Sequence, residues 1–397
     1  MTCTHCGSAT PESARFCHRC GNALDAALKR SHHYAAHPDE PVRALALVST
    51  LMPHLSGNHR NAYRQALALA FIATIAAAAC GALGVALFCA SIALPVLLVL
   101  YQHDHDVWQG EPVLALALGV VVSIGLGIVA GLISNEFTKS GALIEFAADK
   151  LPTAGSILGS GVLVPVVVYV FLVAATGMLV SRPSFSHAVD TINFGAGVAA
   201  ALALGESLTV EHGAFTSLTL RSSDPGSAAF IALTLGFAKP VIYAGAAALP
   251  WLAKQRHGWH KKVTVAIFHG LVLVLVFHLA STLLASQGAH GIVFTFLIAV
   301  LLAAIAVLSL RDSLHSALLE EATATVLGAG TLKRQVAEGT LCAHCGLLVL
   351  EDAAFCVACG TATATFPKQA HIPPGEQEKK PDDGVETAGA SGGTAER

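Results

Sequence analysis

The feature that most constrains this chain is an apolar run without any Asp, Glu, Lys or Arg from residue 66 to residue 101. A single α-helix of 36 residues would be about 54 Å long, whereas the hydrocarbon core of a bilayer is about 30 Å thick. The run therefore predicts two short membrane spans joined by a turn near residues 81–84, where the sequence reads GALG. A chain that contains such a pair has to fold as a polytopic helical membrane protein.

Further apolar runs extend this prediction to about eight transmembrane helices. The chain is 54% hydrophobic and only 12% charged, whereas soluble proteins average about 25% charged residues. The run at 190–208 is the weakest of the set, because it is short and rich in Ala and Gly. The six additional predicted spans are roughly 112–133, 156–180, 190–208, 228–252, 263–286 and 291–310.

A cysteine module occurs near both ends of the chain. It begins as CTHCG at residue 3 and as CAHCG at residue 342, and in each module two CxxC pairs are separated by ten residues. Four thiolates at this spacing suit one tetrahedral Zn²⁺, and a glycine after each pair allows the tight turn beneath the metal. Disulfide pairing is the alternative. The predicted ligands are Cys3, Cys6, Cys17, Cys20, Cys342, Cys345, Cys356 and Cys359.

The two modules resemble the bacterial zinc-ribbon family, with its CxxCG and FCxxCG halves. The resemblance implies a small β-hairpin zinc ribbon at each end and two structural Zn²⁺ ions, because a site closed by four cysteines has no open position for catalysis. His5 and His344 are expected to face outward. The net charge of −3 gives no electrostatic basis for nucleic-acid binding, so protein partners are expected at the ribbons.

The cysteines also predict the topology. Thiolates stay reduced and metal-bound most easily in the cytosol, so both termini are expected there, which requires an even number of spans. No basic and apolar leader precedes the first module, and the predicted location is the cytoplasmic membrane. Eight Lys and Arg residues flank the spans on the predicted cytosolic side: Arg60, Arg64, Arg182, Lys254, Arg256, Lys261, Lys262 and Arg311.

These features divide the chain into segments. The bundle is expected to carry ribbons at both ends, and the last span is expected to continue as a cytosolic helix. The predicted segments are a ribbon at 1–24, a linker with an amphipathic helix at 25–60, the transmembrane bundle at 61–312, a helical linker at 313–340, a ribbon at 341–362 and a disordered tail at 363–397.

Ionisable residues inside the spans are costly, so each is a functional hypothesis by default. Glu136, Glu206 and His269 lie within or at the end of apolar runs. Each also has a simpler explanation: a carboxylate at the membrane boundary, or a neutral core histidine bonded to a carbonyl. His269 and His278 are nine residues apart, which is about half a turn out of phase, so one site should not receive both unless the helix is broken.

Three stretches in this region resemble motifs of the PrsW-type intramembrane protease family. The stretch DTINFGAGVAAALALGES is similar to the D-G-x-x-x-G and F-x-x-x-E-N block through Asp190, Gly195 and Glu206. The stretch NEFTK, which contains Glu136, is similar to the E-E-x-x-K block, and the H-G-L block is matched from His269 onward. The resemblance covers roughly residues 112–285.

The resemblance implies a proteolytic site inside the bilayer. Glu206 would be the general base or acid, His269 a metal ligand or polarising group, and Glu136 a supporting residue, with a further catalytic metal as a possible cofactor. Asn135, Ser207 and Lys239 stand where the family has Glu, Asn and His, which indicates an incomplete ligand set.

Two function classes follow from this sequence. One is a zinc-binding membrane protease, active or degenerate, whose ribbons recruit partners. The other is a non-catalytic scaffold or receptor, and a transporter is the weaker third alternative. The predicted partners are the lipid bilayer and cytosolic or membrane proteins.

Overall fold

The computed structural model describes most of the membrane region and both cysteine modules. The described residues are 2–11, 14–24, 44–53, 57–104, 113–137, 153–182, 188–216, 224–258, 260–284, 287–326, 341–342, 347 and 349–363. The predicted tail beyond residue 363 and most of the linker before residue 44 lie outside these ranges.

The described chain is almost entirely helical, as predicted. Eight of its helical stretches are long and apolar enough to cross a membrane. The helices are α1 (Leu47–Leu51), α2 (Gly57–Ala79), α3 (Leu83–Asp104), α4 (Val113–Phe137), α5 (Ala154–Leu158), α6 (Val164–Val180), α7 (Ala188–Val210), α8 (His212–Thr216), α9 (Pro225–Leu233), α10 (Lys239–His257), α11 (Lys261–Leu284) and α12 (Gly288–Val326).

The 36-residue uncharged run forms the predicted helical hairpin. Helix α2 ends at Ala79 and α3 begins at Leu83, so the turn includes Gly81, which has a φ of 75°. A left-handed backbone of this kind strains other residues but not glycine, which explains why the chain reverses there. The predicted count of eight spans is confirmed for the described residues.

Helix α7 and the α9–α10 span form the centre of the bundle. In their most apolar stretches 89% and 83% of the residues are buried, against 17–44% in the other six spans. Helix α7 is the run that appeared weakest in the sequence. Its small residues reflect close contact with helices on all sides, since small side chains let membrane helices approach one another.

Helices α4 and α7 approach each other closely. A Cβ added to Gly127 would lie 2.1 Å from the carbonyl oxygen of Leu202, and one added to Gly205 would lie 2.2 Å from that of Ile124. Gly127 and Gly131 form a GxxxG pair on α4, the spacing that places two glycines on one helix face. The contact sets the position of α7 at Gly205, next to Glu206.

Two spans contain a π-helical segment that ends two residues before a proline. Residues Gly159–Leu163 join α5 to α6, and Thr234–Ala238 join α9 to α10. Pro165 and Pro240 follow, each in the first turn of the next helix. Proline cannot donate a backbone hydrogen bond and clashes with the preceding turn, and the wider π-turn accommodates that conflict.

Helix α1 packs against α12 near the end of its membrane span. The side chain of Arg311 is fully buried, and its Nη1 donates hydrogen bonds to Ser49 Oγ at 3.3 Å and Thr50 Oγ1 at 3.4 Å. Helix α12 continues beyond the span to Val326, so the described part of the predicted helical linker at 313–340 is helical; residues 327–340 lie outside the described residues.

Candidate functional sites: the cysteine modules and a buried polar cluster

The first cysteine module forms a complete candidate zinc site. The sulfur atoms of Cys3, Cys6, Cys17 and Cys20 all lie within 4.8 Å of one another. The Cys3–Cys20 and Cys6–Cys17 sulfur pairs are each 3.6 Å apart. A tetrahedron with Zn–S bonds of about 2.3 Å has edges of about 3.8 Å, so four thiolates in this arrangement fit one zinc ion.

The second module repeats this arrangement in its described part. Cys342, Cys356 and Cys359 form a cluster of the same size, and the Cys342–Cys359 sulfur pair is again 3.6 Å apart. This pair corresponds in position to Cys3 and Cys20. The fourth predicted ligand, Cys345, lies outside the described residues, as does His344. In the first module His5 is exposed, as expected for a residue that is not a ligand.

Each described CxxCG turn is a knuckle with the same backbone. Gly7, Gly21 and Gly360 have φ values of 70°, 66° and 76°, and each donates its N–H to the carbonyl of the first cysteine of its pair at 2.9 Å. The left-handed glycine predicted from the sequence is therefore present in all three.

The predicted β-hairpins are not seen as strands. Among the described residues the modules contain only isolated antiparallel bridges, between Thr2 and Ala9, Phe16 and Ala23, and Phe355 and Ala362. Each bridge closes one knuckle. The clustered cysteines and these single bridges define the modules, rather than a continuous hydrogen-bonded ladder.

The two modules bind each other through a reciprocal set of backbone hydrogen bonds. The N–H groups of Arg15 and Phe16 both donate to the carbonyl of Val357, at 2.9 and 3.0 Å. The N–H groups of Ala354 and Phe355 both donate to the carbonyl of His18, at 2.9 Å. These residues occupy equivalent positions in the repeat, so the pair has local two-fold pseudosymmetry.

The aromatic residue of each module packs on the last glycine of the other. A Cβ added to Gly21 would lie 2.9 Å from the Phe355 ring, and one added to Gly360 would lie 2.8 Å from the Phe16 ring. Both rings are at least 95% buried. These glycines therefore have a second role, since they leave space for the partner ring as well as allowing the knuckle turn.

His18 lies at the centre of this contact. Burial, followed by the positive charge of Arg19, lowers the pKa of the His18 imidazole below its usual value. The ring is therefore neutral at pH 7, so pairing of the modules does not bury a positively charged imidazole.

The paired modules are joined to the membrane bundle. Phe355 and Ala362 belong to the same cluster of buried apolar side chains as Leu51 and Met52 and the core of the bundle. Contact between the two modules means that both lie at one end of the bundle, here named the ribbon end. An even number of spans connects them, in agreement with the reasoning from the cysteines.

A second candidate site lies inside the membrane bundle. The Nζ atom of Lys239 is 3.0 Å from Glu206 Oε2, and both side chains are only 4% exposed. The hydroxyl of Tyr243 donates to the same carboxylate oxygen at 2.9 Å and lies 2.7 Å from His278 Nε2. We refer to Glu206, Lys239, Tyr243 and His278 as the buried polar cluster.

Local structure explains how the cluster is assembled. Lys239 and Tyr243 are four residues apart on α10 and so share one face of the helix. The π-helical segment ends at Ala238, directly before Lys239, and such segments are frequent at functional sites. On α7, Glu206 follows Gly205, whose close contact with α4 positions the carboxylate.

The structure does not bring the three predicted catalytic residues together. Glu206 is in the buried polar cluster, whereas Glu136 is exposed at the end of α4. His269 is half-buried at the ribbon end, with its Nε2 atom 3.4 Å from Ser309 Oγ. As the half-turn offset predicts, His269 and His278 contact different residues. Lys139, the expected neighbour of Glu136, lies outside the described residues.

The buried polar cluster does not fit a catalytic metal. The position beside the Glu206 carboxylate is taken by the Lys239 ammonium group, and a second cation there would be repelled.

Sequence reasoning treated Lys239 only as a missing histidine and did not identify Tyr243. A usable signal was present, because Lys239 is a single charge within a long apolar run and needs a buried partner of opposite charge. Glu206 is the carboxylate that the fold supplies. The sequence signal for Tyr243 was only its position four residues after Lys239, on the same face of the helix.

No protein-family model matches this chain, and no curated protein or solved structure matches it significantly. The similarity of the membrane core to PrsW-type proteases therefore rests on its motif residues alone. The described geometry establishes a helical, membrane-type core with two cysteine clusters that could hold zinc.

Proposed function

We propose that this chain is a non-catalytic receptor or scaffold of the cytoplasmic membrane. Its paired zinc ribbons lie on the cytosolic side and recruit a protein partner. Zinc stabilises the ribbons, and the bundle anchors them.

The observation that carries this proposal is an apolar surface on the second ribbon. Leu341, Leu347 and Leu350 are 47%, 56% and 36% exposed, although the second ribbon is a small module that contains few apolar side chains. Several exposed apolar side chains on one small module are typical of a protein-binding surface. The module is also held by its twin and by the bundle, so little conformational entropy is lost when a partner binds.

The state of Glu206 supports a non-catalytic core. A general base has to take up a proton, but Glu206 Oε2 already accepts from Lys239 and Tyr243, and the ammonium group of Lys239 stabilises the charged carboxylate. The ion pair neutralises the carboxylate. In this arrangement the cluster links α7, α10 and α11 and serves as a structural connection.

The recruitment proposal is tested by proximity labelling in cells with the tag on the full chain. Leu347→Gln and Leu350→Gln should remove specific labelled proteins, while zinc content and membrane abundance stay unchanged. Leu45→Gln is the control, because Leu45 is a leucine outside the ribbons that is 66% exposed, more than either ribbon leucine. Identical labelled sets for the ribbon variants, the control and the wild type would contradict the proposal.

A degenerate intramembrane protease is the second candidate function. It is favoured by the continuous hydrogen-bonded series from Glu206 through Tyr243 to His278, a carboxylate, phenol and imidazole inside a membrane core. Tyr243→Phe removes only the bridging hydroxyl and keeps the ring. The scaffold proposal expects the same membrane-protein cleavage fragments from this variant and the wild type, whereas loss of specific fragments at equal abundance would favour the protease.

A further inference from the structure

A cavity of about 290 Å³ opens at the ribbon end between α10, α11 and α12. Arg256, Lys262 and His269 line it, so two permanent cations and an imidazole converge from two helices. His269 is the residue that the sequence singled out but the buried polar cluster does not use. A cavity of this size and charge is suited to an anionic group of a few heavy atoms.

The remaining polar lining supplies hydrogen-bond donors and one opposing charge. Ser309 and Ser313 present hydroxyl groups from α12, and Ser309 Oγ is 3.4 Å from the Nε2 atom of His269. Asp312 also lines the cavity. The formal charge of the lining is therefore +1 with a neutral histidine, since Arg256 and Lys262 contribute +2 and Asp312 contributes −1. Hydroxyls and guanidinium groups around a net positive cavity are common partners of phosphate oxygens.

The rest of the cavity lining is apolar. It includes Leu249 and Leu252 from α10 and Val265 from α11, and Val265 is 68% exposed. A soluble anion would gain nothing from these side chains. A molecule with a phosphate at one end and a hydrocarbon chain at the other could contact both parts.

The position of the cavity matches the level of lipid headgroups. Arg256 is next to the last residue of α10, and Lys262 is the second residue of α11, so both lie where the chain turns at the membrane boundary. The cytosolic leaflet carries anionic lipids, and basic pockets between spans on that side bind their headgroups.

From these four observations we infer that the cavity is a binding site for the phosphate headgroup of an anionic phospholipid. Arg256 and Lys262 pair with the phosphate, and the Ser309 and Ser313 hydroxyls donate to it. One acyl chain lies along Leu249 and Val265. The site is separate from the ribbons and from the buried polar cluster. The inference rests on the proposed cytosolic placement of the ribbon end, but not on the recruitment of partners by the ribbons.

The test uses the purified full chain in detergent, titrated with phosphatidylglycerol and followed by native mass spectrometry. Removing one interfacial cation should raise the Kd about fivefold, so Arg256→Gln and Lys262→Gln should each weaken binding by that factor. Each has a charge-matched control close by in sequence. Lys254→Gln and Lys261→Gln remove the same charge, but neither residue lines the cavity, and Lys254 packs over the Trp251 ring instead.

Further arms identify the ligand. Asp312→Asn should tighten phosphatidylglycerol binding, because it removes the opposing charge. Phosphatidylcholine should bind at least several-fold more weakly than phosphatidylglycerol, and inorganic phosphate should not displace the lipid at millimolar concentration. Equal losses in the lining variants and their controls would overturn the site. Full displacement by inorganic phosphate would overturn the lipid assignment.

Discussion

Replacing Gly21 by alanine tests whether the two cysteine modules form one unit. Gly21 belongs to the first module, but the space beside it is filled by the Phe355 ring of the second. The substitution therefore has two costs, and only one of them arises within the first module. Gly7→Ala separates the costs, because Gly7 has nearly the same φ but no atom within 4 Å of an added Cβ.

The magnitudes follow from this difference. A side chain at a left-handed φ costs about 1–2 kcal/mol, and both variants incur this cost. Gly21→Ala additionally forces a fully buried ring to move, since the added carbon would lie 2.9 Å from it. Overpacking of a buried site typically costs about 1–3 kcal/mol more. The expected excess of Gly21→Ala over Gly7→Ala corresponds to about 5- to 150-fold in the opening equilibrium.

The assay measures the alkylation of Cys356 in zinc-loaded protein, with each modified cysteine identified by peptide mass spectrometry. A zinc-bound thiolate is protected and reacts only when its site opens. Gly21→Ala should accelerate alkylation of Cys356 well beyond the effect of Gly7→Ala, although Cys356 belongs to the other module. The alkylation rate of Cys17, in the first module, measures the local effect of both variants.

A double-mutant comparison completes the test. Phe355→Ala removes the ring, so in that background the two glycine variants should differ little. The reasoning would be refuted if Gly21→Ala and Gly7→Ala had the same effect on Cys356. Strict additivity of Gly21→Ala and Phe355→Ala would refute it as well.

Three further predictions concern the zinc sites and the bundle. The chain should contain two zinc ions by elemental analysis, and Cys3→Ser should reduce the content to about one. Glu206→Gln should destabilise the detergent-solubilised protein by about 3–5 kcal/mol because it leaves Lys239 buried without its counter-charge, whereas adding Lys239→Met should restore most of the thermal stability. Gly127→Ala should sharply lower the folded yield in size-exclusion chromatography, because its Cβ would overlap the Leu202 carbonyl, whereas Gly125→Ala on the same helix should not, since nothing lies within 4 Å of that position.

The elements that depend on local chemistry were predictable. Hydrophobic length alone placed the eight spans within a few residues, because a bilayer core fixes how long an apolar helix must be. The cysteine spacing identified the candidate zinc ligands, since the geometry of a CxxCG knuckle is contained in five consecutive residues. The presence of a module at each end also predicted an even number of spans, because both modules were expected on the same side of the membrane.

The contacts between distant segments were not predictable in the same way. Nothing local in the sequence couples Gly21 to Phe355, because the same glycine and aromatic pattern also suits an isolated ribbon. The sequence placed Glu206, Glu136 and His269 in one hypothetical site by resemblance, whereas the structure separates them and joins Glu206 to Lys239, Tyr243 and His278.

Hydrophobic length and ligand spacing are properties of short segments, so the amino-acid sequence was enough to predict a helical membrane protein with a zinc-type cysteine module at each end. Which segments meet became clear only from the fold: the ribbons pair with each other, and a lysine on α10 neutralises the carboxylate on α7. The physical reason is that helix rotation and depth in the bundle are set by close packing, such as that of Gly127 against Leu202, and a single chain carries no local signal for the partner across such a contact.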